Sequence, residues 1–363
     1  MITLPRRTAR ANCSARAWTP RGWRAPMPRS PWRIGCWRRW VDDMRAVLLG
    51  LTMGWSVLSW GDDILHNTVD DALVGAGGLA LSGRVTEART AAHADAGRLR
   101  TLYRSARQLL TDGEHAEVSV RVGERAWRAE VDDDGYWLVS EAQAPSLAPG
   151  WHLVETDPAP SSAAGVLVPS PLHRVAIVSD VDDTVMVSEV NATRRLLKNS
   201  LMRTPERRHA VPGIAALYAR LVAATPHPAS APLFYLSASP RQFTDNLRRF
   251  FAANDFPRGV LLTKRLGQGS LTDQRGYKTA RLETLLNALP TQRFVLFGDD
   301  GEQDPEIYAA LAERHPGRIA GIWIRRVNPD PARPRLPGQG DLDALLADPA
   351  LLDIAAMQAQ PLP

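Results

Sequence analysis

Apolar and polar residues change their spacing about halfway along the chain, and the change marks two kinds of predicted structure. Between residues 79 and 168, apolar residues often alternate with polar ones, as over residues 118–122, which is typical of half-buried strands. From Arg174 onward, short continuous apolar runs alternate with stretches of helical period. Runs such as residues 175–178 and 294–297 are typical of strands that are buried on both faces of a sheet.

The second half of the chain predicts five strands joined by helices, which is the order of a doubly wound parallel sheet. The predicted strands span residues 175–178, 233–237, 260–263, 294–297 and 319–324. The predicted helices span residues 212–224, 241–252, 279–289 and 305–313. Each helix carries its apolar side chains on one stripe that would pack on the sheet. We therefore predict an α/β domain with a Rossmann-like, doubly wound parallel sheet over residues 172–328.

The alternating region predicts a small β-rich domain over residues 79–168, interrupted by a helical period at residues 99–110. The pair Asp134-Gly135 predicts a hairpin between strands at residues 126–131 and 136–139. The acidic run that includes Asp134 also suggests a calcium loop. A solvated turn is the better interpretation, because no bidentate Glu follows at loop spacing.

The flanking segments leave alternatives open. Residues 1–43 have two interpretations. They are either a disordered basic arm that touches acidic lipid or a translated stretch without a structural role. Residues 44–78 predict an apolar and amphipathic helical segment. Its apolar run at residues 46–60 is short for a membrane span, which needs about 20 residues, so packing on the next domain, membrane association and a signal segment remain alternatives. Residues 329–363 predict a Pro-rich tail with a short helix.

The net charge of +5 comes from one end of the chain. Residues 1–43 hold ten Arg and two Asp, whereas the rest of the chain holds 34 basic and 37 acidic side chains. This near-neutral body excludes a basic nucleic-acid footprint, so we expect no nucleic-acid partner. Cys13 and Cys36 both lie in the basic stretch, which excludes disulfides and Cys-ligated zinc elsewhere. We expect a cytoplasmic protein, with membrane association as an alternative.

Polar side chains stand where the predicted strands end. They are Asp180 and Asp182 after the first strand, Ser237 after the second, and Asp299 and Asp304 after the fourth. Open α/β sheets bind ligands at the carboxyl ends of their strands, so we expect these side chains to meet there. Two carboxylates two residues apart repel each other and need a cation or a shared proton. Mg²⁺, held by carboxylates and a substrate phosphate, is the natural partner.

These groups suit hydrolysis of a phosphomonoester through an aspartyl-phosphate intermediate. Asp180 is the predicted nucleophile, and Asp182 is the predicted acid that protonates the leaving alcohol and then activates water. Ser237 would donate a hydrogen bond to the phosphate, and Lys278 would neutralise both the nucleophile and the phosphate. Lys264, another lysine that follows a strand, is the alternative to Lys278.

The predicted metal ligands are Asp180, the backbone carbonyl of Asp182, Asp299 and Asp304. Asp304 would hold the metal's waters or orient Lys278. Two simpler interpretations compete with these roles. Asp304 precedes a proline and could be the N-cap of a helix, and Ser237 or Ser239 could cap the helix after Pro240, with the proline favouring Ser239.

The segment Asp180–Thr184 resembles motif I of the haloacid dehalogenase-like phosphatases, DxDxT. The longer stretches 179–184 and 298–308 are more similar to the catalytic domain of App1-type phosphatidate phosphatases. The resemblance covers residues 175–324. It departs from the family at Ala238, where Asn is more usual, and at Asp300, which is often Ser.

The resemblance implies a β-sandwich-like domain before the catalytic one, dependence on Mg²⁺, and phosphatidate as a phospholipid substrate that is converted to diacylglycerol. Two other functions stay open. One is a phosphatase of a soluble or protein-bound phosphomonoester, and the other is a lipid-surface binding protein with weak activity. Residues 185–211 are too few for a full cap domain, and an open site suits a large or membrane-embedded substrate.

Overall fold

The computed structural model describes residues 64–88, 117–143, 145–186, 209–265, 273–327 and 332–360. The described residues belong to one compact unit, Trp60–Pro363. Several predictions fall on residues outside the described ranges. They concern the basic residues 1–43, the apolar run at residues 46–60, the helix at residues 99–110 and most of the segment 185–211.

The first described region consists of β-strands in two sheets. The strands are β1 Ile64–Val69, β2 Ala72–Gly75, β3 Gly78–Ala88, β4 Glu117–Val122, β5 Arg125–Glu130, β6 Tyr136–Glu141, β7 Gly150–Leu153, β8 Glu155–Asp157 and β9 Gly165–Val168. One sheet has the order β1-β3-β2-β9-β7 with β6 also paired to β3, and the other has the order β5-β4-β8. Val118 and Val120 of the small sheet share a core with Leu81 and Trp137 of the large one. Strand β4 shows the predicted alternation of buried and exposed residues.

Residues 64–75 form strands, although the sequence predicted a helical segment up to residue 78. Strand β1 pairs antiparallel with β3 along its whole length. The apolar spacing fits a helical stripe, but Asn67 lies on the strand and is buried. Its amide donates to Thr156 Oγ1 and to the carbonyl of Pro158, both at 2.9 Å, and accepts from Trp137 Nε1 at 3.1 Å. The β-rich region therefore begins at β1 rather than at residue 79.

The turn at Asp134-Gly135 is present, but the predicted hairpin around it is wrong. Gly135 has a φ of 83°, and Asp132 Oδ1 accepts from the backbone amides of Asp134 and Tyr136. Strand β5 pairs with β4, and β6 pairs with β3, so the two share only one isolated bridge. The turn carries the chain from one sheet to the other, which a local pattern does not reveal.

The second region is an α/β domain with a parallel sheet, as predicted. Its strands are β10 Val175–Asp180, β11 Leu233–Pro240, β12 Val260–Lys264, β13 Arg293–Asp299, β14 Ile319–Arg325 and β15 Gln339–Asp341. Their order is β12-β11-β10-β13-β14-β15, and every neighbouring pair is parallel. The central position of β10 places the end of that strand between the ends of β11 and β13. The short β15 lacks an apolar run and was not predicted.

Helices cover both faces of this sheet. They are α1 Ile214–Ala223, α2 Thr244–Ala253, α3 Gln274–Ala288, α4 Asp304–Arg314, α5 Leu342–Ala347 and α6 Ile354–Ala359. Side chains of α1, α2, α5 and α6 share one buried cluster, and those of α3 and α4 share the other. Leu342, Leu345 and Ile354 are fully buried, so the predicted tail from residue 329 supplies part of the domain core. Among the described residues, no helix is both long and apolar enough to cross a bilayer.

Acidic side chains of the β-rich region contact the edge of the parallel sheet. Asp71 accepts hydrogen bonds from the backbone amides of Gly165 at 3.0 Å and of Leu261, in β12, at 3.3 Å. Asp71 also pairs with Arg248 of α2 at 3.1 Å, and Asp70 pairs with Arg241. The two regions therefore share ion pairs that are largely shielded from solvent.

Candidate active site

Three buried carboxylates meet at the carboxyl ends of two neighbouring strands. Asp180 is the last residue of β10, Asp299 is the last residue of β13, and Asp304 begins α4. One oxygen from each side chain lies within 4.8 Å of the others. All three residues are at most 1% exposed. The strand order brings these predicted residues together, because β10 and β13 are paired in parallel register.

Lys278 reaches this group from the second turn of α3. Its Nζ lies 2.7 Å from Asp180 Oδ1, 2.6 Å from Asp304 Oδ1 and 3.3 Å from Glu302 Oε2. The alternative lysine, Lys264, donates instead to the carbonyl of Asp273 at 3.3 Å. Glu302 was not among the predicted site residues, but its side chain is only 24% exposed and faces Lys278.

Gly298 explains how Asp304 comes so close to the strand. A Cβ atom at Gly298 would lie 2.7 Å from Asp304 Cβ and 2.8 Å from the ring of Tyr308, so only glycine leaves room. The N-cap of α4 is Gln303, and no side chain caps that helix end. The predicted capping role of Asp304 is therefore not observed, and its Oδ1 contacts Lys278 instead.

Asp182, two residues beyond the end of β10, lies beside Ser237, which is inside β11 because that strand continues to Pro240. Ser237 Oγ is 3.5 Å from Asp182 Oδ2 and accepts a hydrogen bond from the amide of Ser239 at 3.1 Å. The short 3₁₀ turn after Pro240 and helix α2 both lack a side-chain cap, so neither serine caps them. Asp182 is more exposed than Asp180, and its carboxylate is not in the group of three.

The loop after Asp182 is held from the end of β14. Asp183 has a left-handed φ of 59°, which Asp tolerates better than most residues. Its carbonyl accepts from Arg325 Nη1 at 2.7 Å. Arg326 Nε lies 2.5 Å from Asp300 Oδ2 in the neighbouring loop. Neither arginine was predicted as a site residue, although both directly follow the predicted strand at residues 319–324, as the predicted acidic residues follow theirs.

Comparison with known proteins bears directly on this site. Residues 175–326 match the family model described as phosphatidate phosphatase APP1, catalytic domain. We call this part of the chain the App1-type domain, after the family model that it matches. The match confirms the resemblance seen in the sequence and contains Asp180, Asp182, Ser237, Lys278, Asp299 and Asp304.

Two curated relatives align with the App1-type domain. An uncharacterised protein of Schizosaccharomyces pombe is 30% identical over 160 residues, which are 43% of this chain and 26% of that protein. Phosphatidate phosphatase APP1 of Saccharomyces cerevisiae is 28% identical over 157 residues, which are 42% of this chain and 26% of that protein. The aligned part thus spans about a quarter of each relative's length.

A solved structure is matched more weakly. It is a carbohydrate acetylesterase from Xanthomonas citri, with 11% identity over 64% of this chain and 68% of that one. The TM-score of 0.21 is too low to support an argument about the fold.

The acidic group of the App1-type domain carries an excess of negative charge. Burial raises the pKa of Asp180 well above its ordinary value, and Asp304 and Asp299 raise it further while Lys278 opposes them. Burial, followed by Asp304, also raises the pKa of Asp299. Burial alone would lower the pKa of Lys278, but Asp180, Asp304 and Glu302 outweigh it and raise that pKa. One ammonium therefore faces more carboxylates than it can neutralise.

The same residues fit a hard divalent cation. Asp180 Oδ2 and Asp304 Oδ2 are buried and have no hydrogen-bond partner among the described residues. Asp299 directs its Oδ1 to the amide of Gly301 at 2.7 Å. Buried carboxylate oxygens without partners need a cation or a proton, and an all-oxygen set suits Mg²⁺. Asp180, Asp299 and Asp304 of the App1-type domain therefore provide donor atoms that could hold a divalent cation.

Proposed function

We propose that the chain is a Mg²⁺-dependent phosphatase of the haloacid dehalogenase-like superfamily that hydrolyses phosphatidate to diacylglycerol through an aspartyl-phosphate. The observation that carries the proposal is the position of Asp180. This carboxylate ends the central strand, contacts Lys278 at 2.7 Å, and shares a buried acidic group with Asp299 and Asp304. It lies in a domain that matches the catalytic domain of a phosphatidate phosphatase family, which supports a phosphoric monoester hydrolase.

In the proposed first step, Asp180 attacks the phosphorus atom. A bond forms between a carboxylate oxygen and phosphorus, while the bond from phosphorus to the ester oxygen breaks. The departing oxygen takes a proton from Asp182, which is more accessible than Asp180. Burial raises the pKa of Asp180, and the Lys278 ammonium opposes that rise by favouring the ionised form of the nucleophile.

In the second step, water attacks the phosphorus of the aspartyl-phosphate. Asp182, now ionised, accepts a proton from that water, and the bond between phosphorus and Asp180 breaks. Inorganic phosphate leaves, and both carboxyl groups return to their starting states. Ser237, 3.5 Å from Asp182, is placed to donate a hydrogen bond to a phosphoryl oxygen.

Asp180, Asp299 and Asp304 would hold the metal, with the carbonyl of Asp182 as a further proposed ligand. Bound Mg²⁺ would supply positive charge to the phosphoryl oxygens. The chain's own part is to keep the three carboxylates in place. Gly298 leaves the room that Asp304 needs beside β13.

The lipid substrate is the finer part of the proposal, and the printed name of the yeast relative supports it. A phosphatidate headgroup lies at a membrane surface, so the proposal includes peripheral contact with the membrane. A fold or family alone does not determine a substrate, and a soluble phosphomonoester is therefore the alternative that the experiment must separate.

The experiment measures phosphate release by the full chain from phosphatidate in mixed micelles. It is run with Mg²⁺, with a chelator and with Asp180→Asn, and the matched control is Asp255→Asn. Asp255 is exposed on a loop and has a left-handed φ of 55°, a conformation that Asn also adopts readily. We expect release that needs both Mg²⁺ and Asp180 and that survives in the control.

Other results would revise the proposal in defined ways. Release from an aryl phosphate but not from phosphatidate would keep the mechanism and remove the lipid substrate. Equal release by Asp180→Asn and by the unaltered chain would overturn the aspartyl-phosphate mechanism. No phosphate release from either substrate would favour a lipid-surface binding protein.

A further inference from the structure

A side chain outside the matched range holds the acidic loop of the site. Arg333 lies beyond residue 326, where the family match ends. Its Nη1 donates to the carbonyl of Asp300 at 2.5 Å, and its Nη2 donates to the carbonyl of Glu302 at 2.7 Å. Nε and Nη2 also bind the carboxylate of Glu306, at 3.1 Å and 2.8 Å. One guanidinium thus connects the loop to the first turn of α4.

This loop sets the spacing of the acidic group. It runs from Asp299, at the end of β13, to Asp304, at the start of α4, and it also carries Glu302. Its other side is held through Asp300, whose Oδ1 accepts from the amide of Val327 at 2.7 Å. A planar guanidinium holds two carbonyls at a fixed separation, which a flexible ammonium does not do.

We propose that Arg333 is a positioning residue for the metal-binding carboxylates Asp299 and Asp304. It acts by holding the carbonyls of Asp300 and Glu302, so its loss would loosen the loop and weaken cation binding. The inference rests on the proposed function, because it takes the acidic group to be a metal site. It extends the site to a Pro-rich segment that follows β14.

Arg335 offers a matched control. It lies two residues further along the same segment and pairs with Asp341 of β15 at 2.7 Å. The side chains of this pair are 28% and 38% exposed, similar to the 38% and 39% of Arg333 and Glu306. Removing either arginine breaks one partly exposed ion pair of the tail, but only Arg333 holds the acidic loop.

The experiment titrates the full chain with Mn²⁺, a spectroscopic substitute for Mg²⁺, and follows free Mn²⁺ by electron paramagnetic resonance. We expect Arg333→Ala to weaken Mn²⁺ binding by about 10- to 100-fold, the usual loss when a group that orients metal ligands is removed. Arg333→Lys should recover only a small part of the affinity. Arg335→Ala should bind Mn²⁺ as the unaltered chain does. Amide hydrogen exchange over residues 299–306 should accelerate in Arg333→Ala and stay unchanged in Arg335→Ala.

Three results would contradict the proposal, and they can be told apart. If the unaltered chain binds Mn²⁺ and Arg333→Ala binds it equally well, only the role of Arg333 is overturned. If the unaltered chain binds no Mn²⁺, the proposed metal site itself is overturned, and the role of Arg333 is overturned with it. Thermal unfolding of both alanine variants guards against a global defect. A large affinity loss in both variants would also contradict the proposal, because Arg335 does not hold the loop.

Discussion

Both ends of the parallel sheet carry buried polar side chains, but the side chains at the two ends have partners of different charge. At the carboxyl end, Asp180, Asp299 and Asp304 crowd around the single ammonium of Lys278. Burial and mutual repulsion raise the pKa of these carboxyl groups. The group formed by Asp180, Asp299 and Asp304 thus carries more negative charge than Lys278 neutralises.

The amino end of the same sheet joins its polar groups mainly to uncharged partners. His173 Nε2 lies 3.2 Å from Ser230 Oγ, and Gln292 Nε2 donates to the carbonyl of His173 at 3.2 Å. Arg318 donates to the carbonyls of Gln292 at 2.9 Å and of Leu289 at 2.7 Å. These hydrogen bonds join the loops that precede neighbouring strands. None of them brings two side chains of like charge together.

The contrast indicates what each end of the sheet provides. Buried like charges destabilise the folded state, and natural proteins retain them where a function needs them. Neutral hydrogen bonds between loops contribute stability and need no ligand. Variants at the two ends should therefore respond differently to Mg²⁺, to pH and to substitution.

The largest expected effect is that of Asp180→Asn on activity. Loss of the proposed nucleophile should lower phosphate release by about 10⁴-fold, roughly 5 kcal/mol of barrier. The same change should raise the unfolding midpoint in the absence of metal, because a repelled buried carboxylate becomes a neutral amide of the same shape. Phosphate release and thermal unfolding check the two effects. A lower midpoint than that of the unaltered chain would contradict the charge excess.

The next largest effect is expected for Lys278→Met. Removing the ammonium leaves Asp180, Asp304 and Glu302 without their cation, and breaking a buried ion pair costs roughly 3–5 kcal/mol. Mg²⁺ should restore stability to this variant more than to the unaltered chain, since a ligand of the native state stabilises it by mass action. Denaturant unfolding with and without Mg²⁺ measures both effects. An equal response to Mg²⁺ would show that the ion does not bind among these carboxylates.

At the amino end, His173 predicts an acid-sensitive contribution to stability. Burial, together with the nearby His227, lowers the pKa of His173 from 6.5 to about 4. Between these values the unfolded chain binds more protons than the folded one, so stability falls as the pH drops from 6.5 towards 4. The loss is at most about 3 kcal/mol. Because the carboxyl end titrates as well, the test compares the pH dependence of unfolding for His173→Asn and the unaltered chain. Parallel curves would contradict the prediction.

The smallest effect is expected for Arg318→Met, which removes a guanidinium from the amino end of the sheet. This guanidinium donates to uncharged carbonyls. Its hydrogen bonds to the carbonyls of Gln292, Leu286 and Leu289 should be worth about 2 kcal/mol together. The stabilisation by Mg²⁺ and the activity of the folded protein should match those of the unaltered chain. Denaturant unfolding and phosphate release test this variant beside Lys278→Met. A changed response to Mg²⁺ would break the distinction between the two ends.

The central strands of the parallel sheet were predictable because strands that are buried on both faces consist of consecutive apolar residues. All residues from Val175 to Asp180 are buried, and the proposed nucleophile Asp180 directly follows the apolar part of this strand. The meeting of Asp180, Asp299 and Asp304 was predictable too, because parallel strands end at one edge of a sheet.

Features that depend on distant partners were not predictable from local patterns. Asn67 looks like a break in an apolar stripe until Trp137 and Thr156 are known to be its neighbours. Glu302 looks like an exposed loop residue until α3 brings Lys278 to it. Arg333 stands in a Pro-rich stretch without any period, and its role is defined only by the carbonyls that it contacts.

The burial of α5 and α6 in the domain core has a consequence for synthesis on the ribosome. A nascent chain that has emerged as far as Arg325 already carries every proposed catalytic side chain. It still lacks Leu342, Leu345 and Ile354, which cover part of one face of the sheet, and it lacks Arg333. Partly formed domains with exposed apolar surface are prone to aggregate. We therefore expect the nascent domain to depend on chaperones until its last helices emerge.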